Sequence, residues 1–135
     1  DFDLLTALLK DSSVAYMTAT DLTWFVSSMK MGGRGIFSMS AAVFPEYLVK
    51  LYKTCTDGKW DKATAMQERL HEAYSAMAGH PALAGLNMMC RFKAMCTAGS
   101  KLKCGKSREP LITATDEQQA ALNEFTAKEC ADLIA

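Results

Sequence analysis

Residues 14–38 read VAYMTATDLTWFVSSMKMGGRGIFS, and this stretch decides the fold class. Its opening apolar run, closed by Thr18, is typical of a buried strand. The pattern at 22–31 is helical and ends at Gly32-Gly33, and a second short apolar run follows at 35–39. A strand, a helix and a strand in this order form a βαβ unit. We therefore predict two parallel strands, at about 14–18 and 35–39, joined by a right-handed crossover.

The remainder of the chain is helical in pattern. Pro45 suits the first turn of a helix, where its missing N–H is not needed. Thr115 with Gln118 three residues later is a capping-box signature. Apolar residues recur at helical spacing in five further segments: Leu4 to Leu9, Pro45 to Cys55, Ala63 to Met77, Ala82 to Ala98 and Thr115 to Phe125.

Two parallel strands cannot form a complete sheet, because each strand needs neighbours to satisfy its backbone groups. The chain also opens at Asp1 directly into a helical pattern. We therefore expect the rest of the sheet to be supplied from outside this sequence.

The composition is that of an ordinary globular domain. Half of the 135 residues are hydrophobic, and 15 basic residues balance 15 acidic ones. The Lys and Arg residues do not form the basic stripe that is typical of nucleic-acid-binding proteins, so the sequence does not indicate a nucleic-acid partner. Because no apolar stretch approaches the ~20 residues of a membrane helix and no signal-peptide pattern opens the chain, we expect a cytoplasmic protein without a membrane partner.

The cysteines and histidines indicate neither a disulfide framework nor a metal site. Five cysteines form an odd set without CxxC spacing. His71 and His80 lie nine residues apart across a helix end, which is poor spacing for metal ligands. Cys104 lies in a loop of Gly and Lys without a neighbouring His, so we do not expect it to be a nucleophile. We predict no metal and no cofactor.

Several motifs together resemble the dihydrodipicolinate synthase / N-acetylneuraminate lyase family. The run at 32–45, GGRGIFSMSAAVFP, is similar to the family's signature at strand 8, and that at 16–21, YMTATD, is similar to the end of strand 7. The turn at 57–60, Lys93 and the run at 108–111, REPL, resemble elements of the C-terminal helices. Their order and spacing cover nearly the whole chain.

The resemblance implies an α/β fold that is the C-terminal part of a (β/α)8 barrel. Residues 1–56 would supply strands 7 and 8 with their helices, and residues 57–135 a C-terminal helical extension. The implied function is that of a Schiff-base-forming lyase, an aldolase or a related keto-deoxy sugar-acid dehydratase, acting on pyruvate or another 2-keto acid, in a homo-oligomer. The alternative is a non-catalytic helical interaction module or a catalytically dead family member.

The active site of such a barrel is assembled at the C-terminal ends of the strands. By resemblance, the substrate-binding candidates follow the two predicted strands: Ala19, Thr20, Asp21, Phe37, Ser38 and Met39. Ala19 stands where the family usually has Gly, and Ala42 where it usually has Asn. Thr20 and Asp21 also fit an N-cap of the following helix, and Ser38 a capping serine beside a core Phe.

The Schiff-base lysine is expected before Asp1, so no catalytic residue is assigned in this chain. Lys10 begins a run, KDSS, that is similar to the family's lysine strand. We reject it because the family has a complete helix between strands 6 and 7, whereas only four residues separate Ser13 from Thr18. The 135-residue chain alone is therefore expected to be inactive and, with its unpaired strand edge, prone to association.

Overall fold

The computed structural model describes residues 2–9, 11–19, 21–100 and 102–134. Within these ranges two short strands are followed by helices to the end. The elements are α1 Phe2–Leu9, β1 Met17–Thr18, α2 Phe25–Lys30, β2 Gly35–Ile36, α3 Pro45–Thr56, α4 Trp60–Ala78, α5 Met88–Ser100 and α6 Asp116–Glu129, with 3-10 turns at Ser40–Ala42, Pro81–Leu83 and Ala131–Leu133.

Strands β1 and β2 are parallel, as predicted, with Met17 opposite Gly35 and Thr18 opposite Ile36. Backbone hydrogen bonds extend the pairing at both ends, since the amide of Arg34 donates to the carbonyl of Tyr16 at 3.0 Å and the amide of Phe37 to that of Thr18 at 2.8 Å. The strands are shorter than predicted. In the described part of the chain each strand pairs with one other strand only. No further strand forms hydrogen bonds along its second edge, which would lengthen the pairing.

Helix α2 begins at Phe25, three residues later than the pattern predicts. Residues 21–24 form a turn instead, and the Asp21 carboxylate accepts the backbone amide of Ser40 rather than an amide of its own helix. The N-cap role suggested for Asp21 is therefore wrong. The carboxylate is used for a contact between distant segments.

The later helices largely follow the sequence signals. Pro45 lies in the first turn of α3, and Thr115 with Gln118 forms the predicted capping box of α6. Helix α5, in contrast, begins at Met88 rather than near residue 82. The intervening residues form a 3-10 turn, and the side chain of Asn87 accepts the Cys90 amide at 3.0 Å.

One hydrophobic core joins the βα segment to the C-terminal helices. Its largest fully buried side chains come from α2 through the end of the described chain: Phe25, Phe44, Leu51, Leu70, Met77, Leu83, Met95, Leu122 and Leu133. Helix α4 packs against α2, α3, α5 and α6. Val14, Met17 and Phe37, around the two strands, remain largely exposed. None of the described helices is long and apolar enough to cross a membrane.

Candidate functional site

The candidate site lies where the two parallel strands end. Ala19 follows β1 and is exposed, whereas Phe37, Ser38 and Met39 follow β2. Because the strands are parallel and in register, their carboxyl ends meet at one edge of the sheet. Ser38 is half-buried, while the Phe37 side chain is 75% exposed and does not contribute to the core.

The Asp21 carboxylate joins the segments that follow the two strands. Its Oδ2 accepts hydrogen bonds from the hydroxyls of Ser38 and Ser40, and from the Ser40 amide at 3.1 Å. Ser38 Oγ in turn accepts the Ala41 amide at 2.8 Å. Asp21 is only 6% exposed. Several donors that converge on one buried carboxylate oxygen are held in fixed positions relative to one another.

A cavity of about 330 Å³ opens beside this network. It brings together residues from both strand ends and from α4. Its lining consists of Ala19, Asp21, Leu22, Thr23, Met39, Ser40, His71 and Tyr74. Three of the sequence-predicted substrate-binding residues, Ala19, Asp21 and Met39, therefore share one concave surface.

A second cavity, of about 540 Å³, shares Met39 and Tyr74 with the first. Its walls are mainly apolar and come from α4, α5 and the turn between them. The remaining lining residues are Ala78, Leu86, Met88, Arg91, Phe92 and Met95. Arg91 is held there by backbone carbonyls, since its Nε donates to Leu86 O at 2.8 Å and its Nη1 to Ala78 O at 3.4 Å.

Tyr74 stands between the two cavities and is half-buried. Burial raises the pKa of its phenol, and the negative charge of Asp21 raises this pKa further. The phenol therefore keeps its proton at neutral pH and remains able to donate a hydrogen bond into the cavity.

Not every predicted residue takes part in this site. Ser38 contributes through its bond to Asp21, whereas Phe37 lines neither of the two cavities. Thr20 and Lys10 lie outside the described residues. Sequence analysis missed His71 and Tyr74, because they belong to a helix about 50 residues after Asp21 and only packing brings them to the strand ends.

The cavity at the strand ends has neither a cluster of potential metal ligands nor a cysteine among its described lining residues. No group of three or more His, Cys, Asp or Glu residues within the described ranges could hold a metal ion. All five cysteines are free thiols, and none lines the cavity at the strand ends. Burial, together with the neighbouring Cys104, raises the pKa of Cys96 to about 11. Cys96 is therefore a thiol rather than a reactive thiolate at neutral pH.

Comparison with protein families gives a match over residues 6–129 to the model of the dihydrodipicolinate synthetase family. The chain belongs to this family. The family resemblance expected from the motifs at the strand ends is thereby confirmed. A 4-hydroxy-tetrahydrodipicolinate synthase of Methanosphaerula palustris is 33% identical over 96 residues, which are 71% of this chain and 31% of the relative.

Solved structures of aldolases contain the same fold. A sialic acid aldolase of Ruminococcus gnavus matches 98% of this chain with a TM-score of 0.73 at 22% identity. A 2-keto-3-deoxygluconate aldolase variant of Sulfolobus solfataricus matches 96% with a TM-score of 0.71 at 17% identity. The chain spans 43% of each of these two proteins. Its α/β fold thus matches a part of the barrel-type aldolases of the dihydrodipicolinate synthetase family.

Proposed function

We propose that this chain is the C-terminal part of a Schiff-base-forming lyase that acts on pyruvate or another 2-keto acid. In this proposal β1 and β2 are strands 7 and 8 of a (β/α)8 barrel, and residues 57–135 are the helical extension that follows it. Family membership supports the reaction class, and the 31% to 43% coverage of the matched relatives supports the assignment to a part of the barrel.

The observation that carries the proposal is the meeting of Ala19, Asp21 and Met39 around one cavity at the carboxyl ends of parallel strands. Barrel enzymes bind their substrates at this end, on loops contributed by several strands. Two strands would supply one wall of the site. The Schiff-base lysine and its proton relay would come from the strands that precede them.

In such a lyase a neutral lysine amine attacks the keto carbon, water leaves, and the resulting iminium withdraws electrons from the bond that is broken or formed. This chain would position the bound substrate, whereas the covalent bond would be formed by the lysine from the rest of the barrel. Hydrogen bonds from Ser38 and Ser40 to the Asp21 carboxylate fix the turn after β2. The backbone groups of residues 37–39 in this turn would face the bound keto acid. Small displacements of such groups lower the rate strongly.

The proposal is tested by borohydride reduction in the presence of pyruvate, using the full-length protein that carries this segment. Covalent incorporation of pyruvate, measured by intact mass, is the expected result. Absence of an adduct at saturating pyruvate would instead favour a non-catalytic helical module. The 135-residue chain alone should give no adduct and no turnover of 2-keto acids.

A further inference from the structure

We propose that Cys104 and Cys96 form a reversible oxidation site, at which a low-molecular-weight disulfide such as glutathione disulfide converts the two thiols into a disulfide bond. The bond would join the loop before α6 to helix α5. Both residues are free thiols in the structure, Cys96 buried and Cys104 half-buried. Neither lines the cavity at the strand ends, and the inference does not depend on the proposed function.

The loop that contains Cys104 runs back along α5 and is hydrogen-bonded to it. The Cys104 amide donates to the Thr97 hydroxyl at 3.4 Å, and Lys93 Nζ donates to the Lys106 carbonyl at 2.6 Å. Thr97 and Lys93 are four residues apart and therefore lie on one face of the helix. Two contacts along this face hold the loop, and with it the backbone of Cys104, against α5.

This course of the loop brings the Cys104 and Cys96 thiols together. Cys96 directly precedes Thr97, which binds the Cys104 amide, and the two thiols are within hydrogen-bonding reach of each other. Cys90, a third cysteine on α5, instead donates to the Ser107 hydroxyl at 3.2 Å. A disulfide bond requires its two Cβ atoms to lie close together, and thiols already in contact need only a small movement to reach it. The fold therefore favours the pairing of Cys96 with Cys104.

The two thiols differ in access, and this difference sets the order of the reaction. Cys104 lines a cavity of about 230 Å³ between the loop and α5, whereas Cys96 does not line it. Burial, together with Cys104, raises the pKa of the Cys96 thiol to about 11, so Cys96 stays protonated at neutral pH. Cys104 is therefore the thiol that meets the oxidant, and Cys96 is the thiol that closes the bond.

The exchange has two steps. The Cys104 thiolate attacks one sulfur of glutathione disulfide, the S–S bond breaks, and one glutathione leaves and takes up the proton that Cys104 lost. Cys96 then loses its proton and attacks the Cys104 sulfur, and the second glutathione leaves and takes up that proton. Two protein thiols are oxidised to one disulfide while glutathione disulfide is reduced to two thiols. Because Cys96 is rarely ionised, the second step should be the slower one.

The test uses the full-length protein that carries this segment, first fully reduced and then equilibrated in buffers of glutathione and glutathione disulfide. The reaction is stopped with acid, and the peptides are mapped by mass. Tryptic cleavage places Cys90, Cys96 and Cys104 on separate peptides, so each pairing has its own mass. The same titration in concentrated urea gives the value for the unfolded chain. Cys104→Ser removes the entry thiol, and Cys90→Ser is the matched control on the same helix.

We expect the bond between Cys96 and Cys104 in the folded protein, preceded by a mixed disulfide of glutathione at Cys104. The effective concentration of the two thiols should be at least about tenfold higher than in urea, where only the short intervening chain holds them together. By linkage, the same factor measures how far the bond stabilises the folded state. Cys90→Ser should leave the pairing in place, whereas Cys104→Ser should abolish both the mixed disulfide and the bond.

Three results would overturn the inference: a mixed disulfide at Cys104 that is never replaced by the bond to Cys96, a bond that includes Cys90, or an effective concentration no higher than in urea. The first two would show that Cys96 is not positioned to react. The third would show that the fold does not favour the pair.

Discussion

The carboxylate of Asp21 accepts the backbone amide of Ser40 at 3.1 Å, across a separation of 19 residues. This bond ties the turn after β1 to the turn after β2, and the hydroxyls of Ser38 and Ser40 bind the same carboxylate oxygen. The two strands share only a short ladder. Their relative position at the candidate site therefore depends strongly on this carboxylate.

Replacement of Asp21 by Ala should lower the free energy of unfolding by about 1–3 kcal/mol, because buried donors lose their charged acceptor. Chemical denaturation of the wild-type protein and the variant measures this difference. Asp11→Asn is the control, since Asp11 is exposed in a turn. An equally small effect of both substitutions would show that the Asp21 contacts do not hold the two turns together.

A second prediction concerns the close approach of α5 to the segment before α3. A Cβ atom at Gly99 would lie 2.4 Å from the Val43 carbonyl oxygen and 2.6 Å from Val43 Cγ1. Gly99→Ala should therefore destabilise the protein by about 1–3 kcal/mol, although alanine favours helices. Gly79→Ala is the comparison, because its nearest contact is Ser75 O at 3.3 Å. Thermal unfolding distinguishes the two, and a stabilised Gly99→Ala variant would refute the close packing.

A third prediction concerns pH. Arg69 donates to both carboxylate oxygens of Asp132, at 2.9 and 2.7 Å, and this hydrogen bonding holds the pKa of the Asp132 carboxyl below its usual range. A lowered folded-state pKa contributes stability above the unfolded value of about 4, and the contribution is lost as the pH falls through the folded value. Since both side chains are about one third or more exposed, the pair contributes at most about 1 kcal/mol.

The measurement for this pair is the difference in unfolding free energy between the wild-type protein and Asp132→Asn. The wild type should be the more stable at pH 7, and the difference should shrink below about pH 4. A difference that is constant from pH 7 to pH 2 would mean that the ion pair makes no net contribution.

A fourth prediction separates the cysteines by reactivity. Cys104 is half-buried in a loop, whereas Cys96 is buried and its thiol pKa is raised to about 11. Since the thiolate is the reactive form, iodoacetamide at pH 8 should modify Cys104 in the native protein and spare Cys96 until the protein is unfolded. Peptide mass spectrometry after timed labelling measures both rates. Equal labelling rates of Cys96 and Cys104 in the native protein would contradict the buried position of Cys96 in α5.

The sequence predicted the parallel strands and most helices because their signals are local. Two short apolar runs, the first closed by Thr18 and the second beginning at Gly35, place β1 and β2, and the capping box places α6. The beginning of α5 was misplaced by about six residues. The apolar spacing from residue 82 onward is that of a helix. The 3-10 turn at Pro81–Leu83 and the hydrogen bond from the Cys90 amide to the Asn87 side chain nevertheless place the beginning of the helix later.

The candidate site was predictable only in part, for a related reason. Parallel strands bring their carboxyl ends together, and the family resemblance assigns substrate-binding residues to these ends, so Ala19, Asp21 and Met39 could be placed near one another. The contribution of α4 depends on the Gln67 contact with Thr23, which spans 44 residues. No local periodicity encodes such a contact, and His71 and Tyr74 therefore emerged only from the packed structure.

The most direct test of the account is the position of the reduced pyruvate adduct within the full-length protein. Peptide mapping after borohydride trapping locates it. The described residues of the site would position the substrate but include no lysine amine. We therefore predict the adduct on a lysine outside residues 1–135, and no adduct on the isolated 135-residue chain. An adduct on Lys10, or on any other lysine of this chain, would contradict the assignment of β1 and β2 to strands 7 and 8.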